Sequence, residues 1–299
     1  MKKCEVSNAE CGVKTGAPIT ASAGAQGVFS EPPISRERSV NPLEYVSASR
    51  LKSFLTCRLK FYYEKVLGLP SPSSANLQIG KAVHAGLEAF HRAKWEGGDT
   101  GTPAIVEAYH AAYKRLEDED PVDYGSKDRD DCIATGERAL RAYLDSELAN
   151  DQRPIRGVEA YLRRDPDILP LPLVGVLDLV RDGGVPVDFK TVASSPDLAE
   201  EAWAHDLQMV AYWLLLTDAT DEVAAPAELV YLVKTKTPKV IRHQLPPVTE
   251  TQVERFKRLT EVYVDAVNRH DYYPSPGMHC RWCSFRNRCR AWNGQRQAA

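Results

Sequence analysis

The chain has 299 residues, enough for one large domain or two ordinary ones. Hydrophobic residues make up 43%, and 38 Lys+Arg stand against 41 Asp+Glu for a formal net charge of −3, which excludes a disordered chain, a collagen and a coiled coil. The longest unbroken apolar run, Met209 to Leu216, is far short of the roughly 20 residues that cross a bilayer, so no membrane span is expected. The near-zero charge argues, at first sight, against a general polyanion binder.

No apolar segment follows Met1-Lys2-Lys3, so no secretory signal is expected. The seven cysteines are Cys4, Cys11, Cys57, Cys132, Cys280, Cys283 and Cys289. An odd number in such a chain does not suit a disulfide framework. Three of the seven lie within ten residues near the C-terminus, which points to metal or cluster ligation in a reducing compartment.

Residues 1–44 are rich in Gly, Ala, Ser, Thr and Pro with little to bury, and predict a disordered arm. Cys4 and Cys11 fall in it. Periodicity starts at Tyr45. Ser47 is a candidate N-cap, with Leu51, Phe54, Leu55 and Leu59 at helical spacing after it. After a Pro/Ser-rich loop over 70–76, a second helix places Ile79, Val83, Leu87 and Phe90 on one face. Pro103 starts a third helix running to about Leu116. Residues 117–131 hold eight acids and two bases and predict a solvated loop. The next helix turns Leu140, Tyr143, Leu144 and Leu148 inward.

The period then changes to two. Ile155 to Arg164, Leu173 to Arg181 and Val185 to Thr191 predict strands, with Gly183-Gly184 as a hairpin turn between the last two. A helix is expected over about 197–217 and strands over 228–234 and 239–245. A last long helix over about 250–270 has Val253, Phe256, Leu259, Val262 and Ala266 inward. This order predicts a mixed α/β fold with a central sheet.

The segments Val174-Gly-Val-Leu-Asp178-Leu-Val and Val187-Asp188-Phe189-Lys190-Thr191 carry the most chemistry. Alternate side chains of a strand share a face, so Asp188 and Lys190 point together while Val187 and Phe189 pack behind them. Asp178 lies on the neighbouring strand. A carboxylate among Val and Leu costs several kcal/mol unless a cation or donor satisfies it. Two carboxylates and an ammonium suit metal-assisted phosphodiester hydrolysis. Asp178 and Asp188 would bind Mg²⁺ or Mn²⁺, and Lys190 would hold the water or offset developing charge. The competing reading is a surface ion pair between Asp188 and Lys190.

The pair "GVLDLV … VPVDFKT" resembles the core of the PD-(D/E)XK nuclease superfamily, and within it the RecB-type nucleases. The similarity extends to the RecB and AddB nuclease domains and to CRISPR-associated iron–sulfur exonucleases. The resemblance implies a restriction-endonuclease-like central mixed sheet flanked by helices, with an iron–sulfur-stapled helical region. It makes Asp178, Asp188 and Lys190 catalytic and adds His84, in Gly80-Lys-Ala-Val-His84, to Asp178 and Asp188 as a metal ligand. Glu88 and His91 beside His84 also admit a zinc site. Gln208-Met-Val-Ala-Tyr212 resembles the family's Q-x-x-x-Y element, which implies contact with DNA or with the lysine region. Glu159 matches a frequent acidic position without an assigned role.

The same resemblance gives Cys57 and Cys280-x2-Cys283-x5-Cys289 as ligands of a [4Fe–4S] cluster that ties the two ends of the domain together. A Cys4 zinc site is the alternative. The segment around Cys57 departs from many members in carrying Arg58 where they have Pro. Cys132 has no sequence partner and is expected in the core.

The resemblance covers 45–292 as one nuclease domain, with 293–299 a tail. From Cys280 onward five arginines (Arg281, Arg286, Arg288, Arg290, Arg296) meet no acid and interleave with Trp282, Phe285 and Trp292, which suits nucleic acid. The expected function is a metal-dependent deoxyribonuclease, an exonuclease on DNA ends or single strands, in recombination, repair or end processing. Its expected setting is a bacterial cytoplasm or a phage-encoded system. No Walker A signature is present, so any helicase or recombination motor would be a separate partner. The alternative is a catalytically silent nuclease-fold scaffold or DNA-binding subunit.

Overall fold

The computed structural model describes residues 41–220 and 222–295. Residues 1–40 of the expected arm over 1–44, with Cys4 and Cys11, and Arg296 in the tail lie outside the described residues, while Leu43, within the expected arm, packs on the core. The elements in chain order are α1 (Ala48–Thr56), α2 (Arg58–Phe61), a π-helical turn (Tyr62–Val66), β1 (Ser73–Ser74), α3 (Ala75–Glu96), α4 (Thr102–Glu119), β2 (Val122–Asp123) and α5 (Arg129–Leu144). There follow β3 (Ile155–Arg164), β4 (Leu173–Arg181), β5 (Val185–Val192), α6 (Leu198–Ala204), α7 (Asp206–Thr220), β6 (Glu228–Val233), β7 (Lys239–Gln244) and α8 (Glu250–Asn268). A 3-10 turn (Met278–Trp282) and α9 (Arg286–Arg290) end the described chain.

Five strands form one mixed sheet in the order β3-β4-β5-β6-β7. The β5–β6 pair is parallel and the rest are antiparallel. Arg181 pairs with Val185, so the β4–β5 hairpin closes over residues 182–184, and Gly183 and Gly184 supply φ of 75° and 66°. The parallel pair needs a crossover, which α6 and α7 provide.

Each face of the sheet buries an apolar layer. Ile79, Val83, Leu87, Tyr109, Leu140 and Tyr143 of α3, α4 and α5 pack on Leu179, Val187, Phe189 and Val230. On the other face Leu51, Phe54, Leu59, Val210, Leu214 and Phe256 of α1, α2, α7 and α8 pack on Ala160, Leu177, Leu229 and Tyr231. The helical periodicity of α3 is thus spent on burial: Ile79, Val83 and Leu87 are all under 4% exposed. Cys132 is buried in this layer, as expected. On α8 the buried row is Phe256, Thr260, Tyr263 and Val267, with Val253 and Leu259 at its margin.

Two expected elements differ. Residues 117–131 are not an open loop. α4 continues through Glu119, β2 pairs with β1, and Asp128 caps α5 through the Asp131 N–H at 2.9 Å. The acids are consumed locally: Asp130 and Asp131 face the α5 dipole, and Arg129 Nε bonds Glu117 at 2.8 Å. The helix over 197–217 breaks at His205 into α6 and α7. The break turns Asp206 to α8, where Gln252 Nε2 and Arg255 Nη1 donate to it at 2.5 and 3.0 Å.

Gly136 of α5 lies against the buried ring of Tyr109, where a Cβ would stand 2.2 Å from the hydroxyl oxygen and 2.9 Å from Cζ. The ring is fixed, its hydroxyl donating to the Ile133 carbonyl at 2.8 Å. Gly136→Ala is expected to destabilise the domain by about 1–3 kcal/mol through overpacking. Denaturant midpoints measure this, and an unchanged midpoint refutes it.

Candidate active site

The β4–β5 ladder stops at Leu179↔Val187. The next inward N–H on β5, that of Phe189, donates instead to Asp178 Oδ2 at 2.8 Å. A side-chain carboxylate thus replaces a strand partner, and the two strands part around it. On the other side of β4 the backbone inverts. Val158 and Leu179 lie in the α3-side layer, whereas Ala160 and Leu177, two residues on, lie in the α7-side layer. In an even strand such residues would share a face. The inversion passes through Glu159, whose φ is 47°. That left-handed conformation costs a non-glycine residue about 1–3 kcal/mol.

The result is a compact acidic group. His84, Glu159 and Asp178 each offer a ligand atom, and these atoms lie within 4.8 Å of one another. His84 reaches over from α3, with Nδ1 3.5 Å from Asp178 Oδ2. Burial pushes the Asp178 carboxyl up to about 6, with His84 opposing the rise and Asp188 adding to it. Burial and then the Asp178 charge push Glu159 up to about 8. Crowded carboxyls of this kind, with an imidazole, are the donor set of a divalent cation such as Mg²⁺ or Mn²⁺.

Asp188 and Lys190 point together, as expected; Asp188 turns toward α7, while Lys190 also lines the cleft that holds His84, Glu159 and Asp178. Asp188 is 1% exposed. Lys190 Nζ lies 2.6 Å from Asp188 Oδ2. The other oxygen, Oδ1, accepts from Gln208 Nε2 at 2.8 Å and faces the Tyr212 hydroxyl at 3.3 Å. Gln208 Oε1 in turn accepts from Lys190 Nζ at 3.1 Å, and Gln208 Nε2 donates to Tyr212 at 2.7 Å. The tyrosine is 5% exposed, and burial, then Asp188, drives its hydroxyl pKa well up.

Glu159 joins His84 and Asp178 in the closest donor group, and Asp188, the other expected ligand, stands beside them on β5 with Lys190, Gln208 and Tyr212 around it. Tyr212 itself is buried against the sheet, and with Gln208 it faces the lysine region. His84, Glu88 and His91 do not converge. His91 is buried on Tyr143 at 2.9 Å and stacked on Phe189, burial holding its pKa down at about 3, while Glu88 pairs with Arg92 at 2.9 Å.

His205, at the α6–α7 break, is a neighbour that residue spacing did not single out. Its pKa is lowered by burial and then by Lys190. Glu159 was visible only as an acid in an apolar strand; nothing in its spacing shows the positive φ that turns it to the site.

The four cysteines converge elsewhere. Cys57, Cys280, Cys283 and Cys289 line one cavity of about 220 Å³. Cys57 sits at the break between α1 and α2, and the Leu59 N–H bonds the Tyr273 carbonyl at 3.1 Å. Tyr62 stacks on Tyr272 with centroids 4.8 Å apart, and Tyr63 packs on Phe285 at 5.4 Å. The Cys289 thiol is pushed up by burial and then by Cys57, Cys280 and Cys283. Of the interleaved aromatics, Phe285 is buried and Trp292 packs on the core, while Trp282 is 75% exposed beneath Arg281.

A five-stranded mixed sheet between helical layers, parting around Asp178 beside an Asp–x–Lys strand, defines a nuclease-type α/β fold. The model of the PD-(D/E)XK nuclease superfamily matches residues 45–290, and the chain belongs to that superfamily. A solved structure from Eubacterium rectale, provisionally named an exonuclease, is similar. It shows 15% identity, 90% of this chain and 96% of that one covered, and a TM-score of 0.56. At that identity the likeness speaks for the fold. SSO0001 aligns at 16% identity over 81% of this chain and 95% of its own, with a TM-score of 0.36 that carries no argument. No curated protein matches the chain. Among the described residues no helix is long and apolar enough to cross a membrane.

Asp178 and Glu159 bind protons more tightly in the folded chain than at their ordinary values of 3.8 and 4.5. Without added metal the folded state therefore keeps protons that the unfolded chain sheds between about pH 4 and pH 8, and these two groups lower stability as pH rises through that window. Asp178→Asn should gain stability relative to wild type from pH 5 to pH 8, and Mn²⁺ should narrow the gap at pH 8. Thermal melts at both pH values test this; a gap independent of pH would refute it.

Proposed function

We propose that the protein is a divalent-metal-dependent deoxyribonuclease that hydrolyses phosphodiesters at DNA ends or in single strands. The observation that carries this reading is the juxtaposition, in one cleft, of the His84–Glu159–Asp178 donor group with Lys190, the lysine that Asp188 holds. The donor group fits Mg²⁺ or Mn²⁺: three hard or borderline ligand atoms within 4.8 Å, two of them carboxyls that burial pushes up. A cation bound there supplies Lewis-acid charge and lowers the pKa of a bound water.

The chain's own residues do the rest. Asp178 spans the gap between strands and fixes the donor group to the Phe189 amide. Lys190 presents an ammonium whose direction is set by Asp188 and Gln208, at the place where negative charge develops on a phosphoryl group. Tyr212 and Gln208 hold Asp188 and so hold the lysine. His91, neutral and buried, backs Phe189 and keeps β5 from moving away.

The cysteine centre belongs to the same reading. Four thiols around one cavity fit a [4Fe–4S] cluster. A tetrahedral Zn–S4 site, with bonds of about 2.3 Å, is the alternative that the same four thiols admit.

Asp188→Ala and Lys190→Ala should each lower Mg²⁺- or Mn²⁺-dependent digestion of end-labelled DNA by at least about 10²-fold. Variants that fold and cut like wild type would sink the assignment. Protein purified without air should be brown with broad absorption near roughly 400 nm, and Cys57→Ser should bleach it. A colourless protein holding stoichiometric zinc would replace the cluster by a zinc staple.

A further inference from the structure

The donor group opens into a cleft of about 710 Å³ between α3 and the ends of β5 and β6. Beside His84 it is lined by Glu88, Glu159, Asp178 and Lys190; the rest of its lining includes Asn76, Lys81, Arg115 and Lys234, with no further acid. From His84 to Asn76 is eight helical residues, about 12 Å. That is the axial reach of about three nucleotides at roughly 3.4 Å each.

The basic end lacks its own neutralisation. Lys234 follows β6, held there by its backbone N–H on the Val192 carbonyl at 2.7 Å. No carboxylate pairs with its ammonium among the described residues. Burial, and then the charge of Lys127, lower its pKa. Lys127 donates to Asn76 Oδ1, in the cleft lining, at 2.8 Å. Lys81 has only a loose 3.9 Å approach to the exposed Asp120. The half-buried Lys234 and the exposed Lys127, neither paired with a carboxylate among the described residues, together suit an anion with regularly spaced charges.

We propose that this end is a phosphate-binding subsite, in which Lys234 and Lys127, helped by Lys81, hold the backbone of the nucleotides next to the phosphate that is cut at the acidic end. The proposal rests on the nuclease reading and adds to it the path of the strand along α3. It also gives the acidic stretch over 117–131 a second use, because that stretch delivers Lys127 to the cleft.

The test uses the full chain and its Lys127→Ala/Lys234→Ala variant, with Lys234→Arg and, on the far side of the sheet, Lys257→Ala for comparison. A fluorescein-labelled single-stranded 12-mer in Ca²⁺ reports binding by anisotropy. The double variant should bind about tenfold or more weakly, and its slope of log K against log salt should shrink by about 1.4 for two lost phosphate contacts. Lys234→Arg and Lys257→Ala should bind within twofold of wild type. Thymidine 5′-(p-nitrophenyl phosphate), which reaches only the cutting position, should be hydrolysed by the double variant within twofold of wild type. Unchanged 12-mer affinity and salt slope overturn the proposal, as does an equal loss on the small ester. If wild type hydrolyses neither substrate, the nuclease reading fails, and the binding comparison still decides the subsite.

Discussion

The site depends on one contact, that of the Asp178 carboxylate with the Phe189 amide. If the β4–β5 ladder continued, that amide would bond a β4 carbonyl and Asp178 would be one more side chain on the sheet. Because the carboxylate takes the amide instead, the strands open by the width of a side chain. A charge-assisted bond to a backbone donor is stronger than the ladder bond it displaces, so the opening is stable. The energetic penalty appears on the acids. Glu159 is held at a positive φ and, with Asp178, loses hydration, and both carboxyls resist ionisation. Such strain persists only where the surroundings over-determine it, and two apolar layers clamp the sheet on both faces.

Those layers also decide which way the chemistry faces. Val187 and Phe189 bury beneath α3 and α5, so Asp188 turns toward α7, and Lys190 reaches from it to the cleft beside Asp178. To Asp188, α7 presents Gln208 and Tyr212, four residues apart and therefore on one helical stripe. A buried carboxylate with one partner removed would cost several kcal/mol, so Asp188 is held by three groups at once. The lysine inherits that rigidity. β5 thus serves two faces, with a backbone amide fixing Asp178 and an acid–lysine pair fixing the ammonium.

Much of this was legible in the chain. Period two placed Asp188 with Lys190, helical spacing placed Gln208 with Tyr212, and the alternating pattern found all five strands of the main sheet within a residue or two. What spacing could not show are features that depend on the sign of a dihedral or on distant pairing. Glu159 reaches the donor group only because its φ is positive, and no residue type announces that. Lys234 reaches the cleft because β6 pairs in parallel with β5 across a two-helix crossover. The acids over 117–131 read as solvation because their partners, the α5 amides and Arg129, become visible only when the turn is built.

The net charge of −3 is the sum of these separated groups and describes none of them. The cysteine centre stands apart in the same way, yet it is not independent of the lysine. Cys57, Tyr62, Tyr63, Tyr272 and Phe285 belong to the apolar layer that also holds Tyr212 and the buried face of α7. His84 belongs to α3, which packs in the other layer. Loosening the cysteine centre therefore acts first on the layer that carries Gln208 and Tyr212, and through them on Asp188 and Lys190. The donor group on the α3 side keeps its own support. The metal centre proposed for these four cysteines would, by this geometry, steady the layer that holds the lysine's partners and leave the acidic group its own support.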